Sequence, residues 1–314
     1  MNIGIDLGGS HIGIGVVDEK GKLIEKRETD LRLEKNQNTE DVIQSYLIQN
    51  VNYFIEKYSI NGIGIASPGT PRDGKITTLV NLGIQELDVT KILQSITNVP
   101  IIIRNDAKCA GIAEKNYGSL AKYTDAVFIC LGTGIGGAVF LNNQLLTPKR
   151  NPGLELGHII IEKNGKLCNC GKKGCFETYC SMKRLKMTLI ELLKLPKEID
   201  AKELLKVLQQ HKQDEKVKKE INKYLDNLIV GLSNIIDIFE PEAICLGGSF
   251  VYFEDILYQG LVEKYYQKRY VFNKNDMPDL KLAILGNDAG IIGASLVAFD
   301  TISAHSSFDK IEEL

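Results

Sequence analysis

The chain alternates short apolar runs with glycine-rich breaks, and its first pattern occurs twice. "IGIDLGGSHIGIGVVDEKGKLI" starts at Ile3 and "VFICLGTGIGGAVFLNNQLL" at Val127. Each is an apolar run, a glycine turn, a second apolar run and a polar turn into a third, which predicts a duplicated β-meander. After the first copy the pattern predicts a helix near Thr39 to Tyr58, a strand "GIGIAS" from Gly62, a helix near Val89 to Thr97 and a strand "VPIIIRN". The second copy is followed by its own helices and by "EAICLGG" and "LKLAILG". Strands alternating with helices after an antiparallel start indicate two mixed α/β units related by duplication.

Between the copies lies a helical region specific to neither. The run from Cys180 to Leu195 ends at Pro196, and Asp200 with Glu203 forms a capping box for a helix to Gln210. In a longer helix Val217, Ile221, Tyr224, Leu228, Leu232, Ile235 and Phe239 recur at helical spacing until Pro241 stops it. The charges of "HKQDEKVKKE" are then a solvated helix face. The last helix, "DAGIIGASLVAFD", takes Asp288 as its N-cap and is expected to return to the first half, its glycines permitting close packing.

At 314 residues the chain is most simply two domains, and 25% charged with 44% hydrophobic residues is ordinary for a soluble globular protein. A formal net charge of −2 offers no long-range attraction to phosphate backbones, so nucleic acid is not an expected partner. Asp6 interrupts the only apolar candidate for a signal peptide, and no span approaches the ~20 apolar residues of a membrane helix. A cytoplasmic location is expected. In that reducing setting an uneven set of seven cysteines suits metal ligands or core positions better than disulfides. Cys109, Cys130 and Cys245, in apolar surroundings, read as small buried residues.

Three of those cysteines crowd into eight residues behind one of only four histidines. His158, Cys168, Cys170 and Cys175 give H-x9-C-x-C-x4-C, a ligand set suited to a closed tetrahedral Zn²⁺ site, with Gly171 and Gly174 letting a short loop wrap the ion. Reduced cysteines without a metal are the alternative, and redox chemistry is weaker still because no C-x-x-C pair is present. Glu155 lies three residues before His158, and Glu177 two past the last cysteine. A metal tying the loop together would fix these two carboxylates on either side of a pocket.

The turn "DLGGS", Asp6 to Ser10, matches neither the Walker A nor the dinucleotide pattern, because another strand follows rather than a helix. Alone, it or "LGTGIGG" reads as a tight hairpin. Two such turns at matched places favour a nucleotide's phosphates gripped from both sides of a cleft, by Gly8, Gly9 and Ser10 and by Gly132, Thr133, Gly134 and Gly136. Asp6, at its strand's end, is then placed to hold Mg²⁺. Asp106 falls at the carboxyl end of "VPIIIRN", the usual rim of an α/β site, though by position alone it reads first as a helix cap.

These motifs, with "SPG" at Ser67, "NL" at Asn81, "NDA" at Asn105, "ELGH" at Glu155, "CNCGKKGC" at Cys168, "LGGS" at Leu246 and "GNDAGIIGA" at Gly286, resemble the ROK sugar kinases over essentially the whole chain. That family lies within the actin, heat-shock chaperone and hexokinase superfold. The resemblance implies two duplicated ribonuclease-H-like domains with a cleft and a zinc-binding loop: residues 1–118, joined by a C-terminal helix 288–314, and residues 119–287. It implies ATP- and Mg²⁺-dependent phosphorylation of a hexose 6-hydroxyl, glucose first, with fructose, allose, N-acetylglucosamine and N-acetylmannosamine as alternatives. Asp106 maps onto the family's general base. Gly69, Asn81, Asn105, Glu155, His158 and Glu177 map onto its sugar contacts, and Gly247 with Gly248 onto its adenosine turn. Carboxylates only accept hydrogen bonds, which suits an uncharged polyol. His158, Cys168, Cys170 and Cys175 match the zinc ligands one for one.

The chain departs from the family where Lys108 replaces the last Asn of the "NDAN" motif, and where a nearby Trp is absent. A cation at 108 is expected to lower the Asp106 pKa or to contact a phosphate. Other readings are a sugar-responsive repressor, for which no DNA-reading element precedes the strand at Ile3, and a catalytically idle sensor. A homodimer or higher homo-oligomer is the expected assembly.

Overall fold

The computed structural model describes residues 1–8, 11–31, 39–69, 71, 74–79, 83–149, 154–267 and 277–308. The chain divides into two compact units, one of Met1–Ala121 with Thr147–Gly153 and Asn287–Leu314, the other of Lys122–Leu146 with Leu154–Gly286.

In the first unit β1 (Asn2–Leu7), β2 (His11–Val17) and β3 (Leu23–Asp30) form the meander, followed by α1 (Thr39–Lys57) and β4 (Gly62–Ser67). A separate hairpin of β5 (Ile76–Leu79) and β6 (Ile84–Leu87) precedes α2 (Val89–Gln94), β7 (Ile101–Asn105) and α3 (Asp106–Tyr117). The sheet order is β3-β2-β1-β4-β7, with β1, β4 and β7 parallel.

The second unit repeats the scheme. Strands β8 (Ala126–Leu131), β9 (Ile135–Leu141) and β10 (Gln144–Leu145) form its meander, then come α4 (Glu177–Cys180), α5 (Met182–Leu193), α6 (Ala201–Gln210) and α7 (Glu215–Phe239). Strand β11 (Ala243–Gly247), α8 (Glu254–Gln267) and β12 (Asp279–Leu282) close a sheet of order β10-β9-β8-β11-β12. Strand for strand this is the first unit's order, so the fold is mixed α/β with two five-stranded sheets built to one plan.

The helices start and stop where local chemistry dictates. Asp200 caps α6 through its Oδ1, which accepts from the Glu203 N–H at 2.8 Å. Val217, Tyr224, Leu228, Leu232 and Ile235 of α7 are buried, as their spacing requires, and Glu240 in the left-handed conformation ends that helix just before Pro241. Cys109 and Cys245 are buried, whereas Cys130 is half-buried at the last-but-one position of β8.

One alternation organises the first unit. Along β1, β2 and β4, "NIGIDL", "HIGIGVV" and "GIGIAS", isoleucine and glycine take turns, and side chains on a strand point to opposite faces. Ile3, Ile5, Ile12, Ile14, Ile63 and Ile65 share one core with Ile43, Leu47, Val51 and Phe54 of α1. Burying each such side chain stabilises by ~1.5–3 kcal/mol. The glycine face receives the last helix, α9 (Ala289–Phe308). A Cβ on Gly4 would overlap the Ile291 carbonyl, one on Gly64 the Ala294 carbonyl, and one on Gly293 the Cys109 carbonyl of α3. Helix and sheet therefore meet at backbone contact. Asn2, on the same face, donates to the Ser295 carbonyl at 3.1 Å. Asp288 lies in a 3-10 turn ahead of α9, and its Oδ1 accepts from Lys26 Nζ at 2.7 Å.

This close approach predicts that Gly64→Ala lowers stability by ~1–3 kcal/mol through overpacking. Thermal unfolding should show it as a Tm several degrees lower. Gly132→Ala, whose Cβ would meet nothing within 4 Å, should leave Tm nearly unchanged. Equal Tm values for the two variants would contradict the packing described.

Candidate functional site

At the carboxyl ends of β1, β4 and β7 the first unit gathers Asp6, Gly69, Asn105 and Asp106. The cap of α3 is Asn105, one residue earlier than the alternative reading of Asp106 required. Its Oδ1 accepts from the Lys108 N–H at 3.2 Å, and its Nδ2 donates to the Gly69 carbonyl at 2.9 Å. Gly69 has φ 74°, a conformation that favours glycine, so its carbonyl can face Asn105. With capping done by Asn105, Asp106 is the first helical residue, and its Oδ1 accepts from the adjacent Ala107 N–H at 2.7 Å.

Burial raises the Asp106 pKa above the usual carboxylate range, against the lowering effect of N–H groups and the Asn105 side chain. Asp6 is pushed up to about 7, mainly by burial and next by the charge of Asp106, with Lys26 opposing. Part of that burial comes from α9, because a Cβ on Gly290 would overlap the Asp6 carboxylate. Lys108 is buried, 2% exposed, and the net shift of Asp106 is upward, so a lowering of its pKa by a cation at 108 does not prevail.

The first glycine turn closes through the Gly8 N–H, which donates to the His11 carbonyl at 2.9 Å. Gly9, Ser10 and Asn81 lie outside the described residues.

In the second unit the "LGTGIGG" stretch is a hairpin between β8 and β9, closed by the Gly132 N–H on the Gly134 carbonyl at 3.0 Å. Thr133 is exposed at its tip, and Gly136 is the second residue of β9. Gly247 ends β11, and Gly248 opens the 3-10 turn that follows. Gly248 has φ 70°, and a Cβ there would lie 2.7 Å from the Leu131 carbonyl oxygen and 3.0 Å from Cys130 Sγ. The second unit thus brings together both of its predicted nucleotide turns.

The metal loop joins them. Leu156–His158 form one 3-10 turn with Glu155 as its cap, and the His158 N–H donates to the Glu155 carbonyl at 3.1 Å. Gly171 (φ 86°) and Gly174 (φ 81°) make the tight bends that return the cysteines toward His158. The ring nitrogen of His158 and the thiols of Cys168, Cys170 and Cys175 all lie within 4.8 Å of one another. His158 Nδ1 is 3.6 Å from Cys168 Sγ, and Cys170 Sγ is 3.6 Å from Cys175 Sγ. Zinc bonds of ~2.1–2.3 Å in a tetrahedron set ligand atoms ~3.4–3.8 Å apart, so donor types and spacing both fit such an ion. Burial and the neighbouring thiols push Cys175 up to about 12, while the Lys172 N–H draws Cys170 down. A divalent cation among them favours thiolates throughout.

Glu177 opens α4 directly behind this loop. Its Oε2 accepts from the Ile135 N–H at 2.9 Å, just past the glycine hairpin. No local pattern marks this bond, because 42 residues separate its partners and neither belongs to a recognisable pair. Glu155 is exposed and His158 half-buried.

The model of the ROK family matches residues 2–301. The chain belongs to the ROK family. It is 30% identical to a glucokinase of Thermotoga maritima, covering 96% of this chain and 98% of that one. It is 28% identical to a xylose repressor of Bacillus subtilis, covering 95% of this chain and 77% of the repressor. The crystal structure of a ROK hexokinase from Thermus thermophilus superposes with a TM-score of 0.81 at 26% identity, over 96% of this chain and 99% of that one. The two-sheet α/β fold is therefore that of ROK sugar kinases. Among the described residues of this family member, no helix is long and apolar enough to cross a membrane.

The buried carboxylates predict a pH signature. Asp6 titrates near 3.8 unfolded and about 7 folded. Between those values the folded chain holds a proton that the unfolded chain releases, so this group's contribution to stability falls as pH rises from about 4 to about 7. Asp6→Asn should therefore raise the ligand-free Tm more at pH 8 than at pH 5, and an equal gain at both would contradict the burial argument.

Proposed function

We propose that this ROK protein is an ATP- and Mg²⁺-dependent hexose kinase acting on the 6-hydroxyl, with glucose the first candidate. The observation that carries the reading is the release of Asp106 from capping. Asn105 takes that task, leaving a half-buried carboxylate of raised pKa at the end of β7. Phosphoryl transfer asks the protein mainly for positioning and charge stabilisation, plus one group to accept the hydroxyl proton as the new P–O bond forms. A carboxylate whose pKa is raised is the stronger base once ionised. Asp106 takes the proton in this reading.

The remaining residues bind and orient. Asn105, Asn81 and the Gly69 backbone place the sugar, and Glu155, His158 and Glu177 accept or exchange hydrogen bonds with its hydroxyls. The turns at Gly8–Ser10 and at Gly132, Thr133, Gly134 and Gly136 offer backbone N–H groups to phosphates. Gly247 and Gly248 leave room for the adenosine. Asp6 would hold Mg²⁺, which neutralises phosphate charge when bound. His158, Cys168, Cys170 and Cys175 would hold Zn²⁺, which gives the loop rigidity rather than reactivity. The Thermotoga glucokinase and the Thermus hexokinase support this chemistry. The likeness to a xylose repressor favours, as a second reading, a sugar-binding regulator without turnover.

Asp106→Asn should lower kcat by ~10²- to 10⁴-fold, with ATP affinity and Tm largely kept. A coupled ADP-release assay showing near-normal kcat would remove Asp106 from the role. Cys175→Ser should lose zinc by elemental analysis, lower Tm and raise the sugar KM. An unchanged sugar KM in zinc-free protein would sink the link between loop and pocket.

A further inference from the structure

We propose that Glu177 is a positioning residue for the nucleotide as well as a group facing the sugar. It fixes the glycine hairpin at 132–134 and so couples the metal loop to nucleotide affinity. The proposal rests on reading that hairpin as a phosphate-binding turn.

The hairpin has little to hold it by itself. One hydrogen bond closes it, a Cβ on Gly132 would meet nothing within 4 Å, and Thr133 is exposed. Glycine-rich backbone of this kind samples many conformations, and each must be given up when its N–H groups converge on an anion. A turn already held in the bound geometry binds more tightly than one that must be ordered.

The restraint comes from the loop. Glu177 Oε2 accepts from the Ile135 N–H at 2.9 Å, and it lies so close to Gly134 that a Cβ there would overlap the carboxylate. On the other side of the same residue, Gly157 packs so tightly that a Cβ would overlap the Ile135 carbonyl. Ile135 is thus gripped at both its N–H and its C=O. Both grips come from residues next to metal ligands. Gly157 immediately precedes His158, and Glu177 follows Cys175 by two positions. The segment between is tied down by the Thr178 hydroxyl on the Cys175 carbonyl at 2.7 Å and by the Phe176 N–H on the Ile159 carbonyl at 2.8 Å. The Lys183 N–H, in the first turn of α5, completes the set by donating to the Gly132 carbonyl at 3.2 Å.

The geometry makes a specific demand on position 177. An oxygen acceptor must sit at glutamate length. Gln keeps that oxygen without the charge, whereas Asp keeps the charge but is one methylene too short.

The test is calorimetric titration of a non-hydrolysable ATP analogue with Mg²⁺, in the absence of sugar, into wild type, Glu177→Gln, Glu177→Asp and Glu177→Ala, with zinc content measured on each. Hydrogen–deuterium exchange of the peptide spanning 132–136 is followed in the ligand-free proteins. Losing a hydrogen bond to a charged acceptor corresponds to roughly tenfold in Kd or more. The expected result is nucleotide Kd weakened about that much in Glu177→Asp and Glu177→Ala, near wild type in Glu177→Gln, with faster exchange at 132–136 in the same two variants and zinc retained. Should Glu177→Ala fail to fold, the Gln and Asp pair decides. Wild-type Kd and exchange in Glu177→Asp, or equal weakening in Gln and Asp, overturns the proposal. If wild type itself binds no nucleotide, the phosphate-turn reading fails, and the exchange pattern alone then supports or overturns the positioning role.

Discussion

Helix α9 touches the first sheet backbone to backbone, and much else follows from that contact. It is possible only because glycines occupy one face of β1, β2 and β4 while isoleucines fill the other. The bulky face makes the core with α1, and the bare face admits a helix closer than any side chain would allow. Gly290 brings α9 against the Asp6 carboxylate, and Gly293 seats it on α3, the helix that begins with Asp106. The same packing that holds the unit together therefore shields the Asp6 carboxylate from water, and desolvation is the largest cause of the raised pKa of Asp6, as it is for Asp106.

Duplication supplied the frame, and divergence supplied the chemistry. Asp6 pairs with Gly13 across its hairpin and with Ala66 on the parallel side; Cys130 occupies the matching place, opposite Gly136 and Gly247. One copy thus carries a carboxylate at the strand end where the other carries a thiol. The second copy instead received an insertion between β10 and β11, holding the metal loop and helices α4 to α7. Its loop braces the second glycine hairpin through Glu177, a task that the first unit gives to none of its described residues in the same form.

Much of this was legible in the residues. Both meanders, the Asp200 cap, the buried stripe of α7 and the close helix packing of "GNDAGIIGA" followed from periodicity and composition. So did the convergence of His158 with Cys168, Cys170 and Cys175, because short spacing limits where a loop can place its ligands. What escaped was of two kinds. Single-residue choices, such as Asn105 rather than Asp106 as the cap or the burial of Lys108, depend on rotamers and packing that neighbours decide. Long-range pairings, such as Glu177 with Ile135 or Lys26 with Asp288, leave no local trace. The isoleucine–glycine alternation was visible, but its meaning required knowing that a helix from the far end of the chain covers the glycine face.

The most direct test of the functional account is whether the purified protein makes ADP when, and only when, a hexose is supplied with ATP and Mg²⁺. A panel of neutral hexoses and N-acetylated amino sugars should include at least one, glucose first, that drives ADP formation well above the sugar-free rate and yields a sugar 6-phosphate. ADP formation that stays at the sugar-free rate for every member, by a zinc-replete and folded preparation, would contradict it.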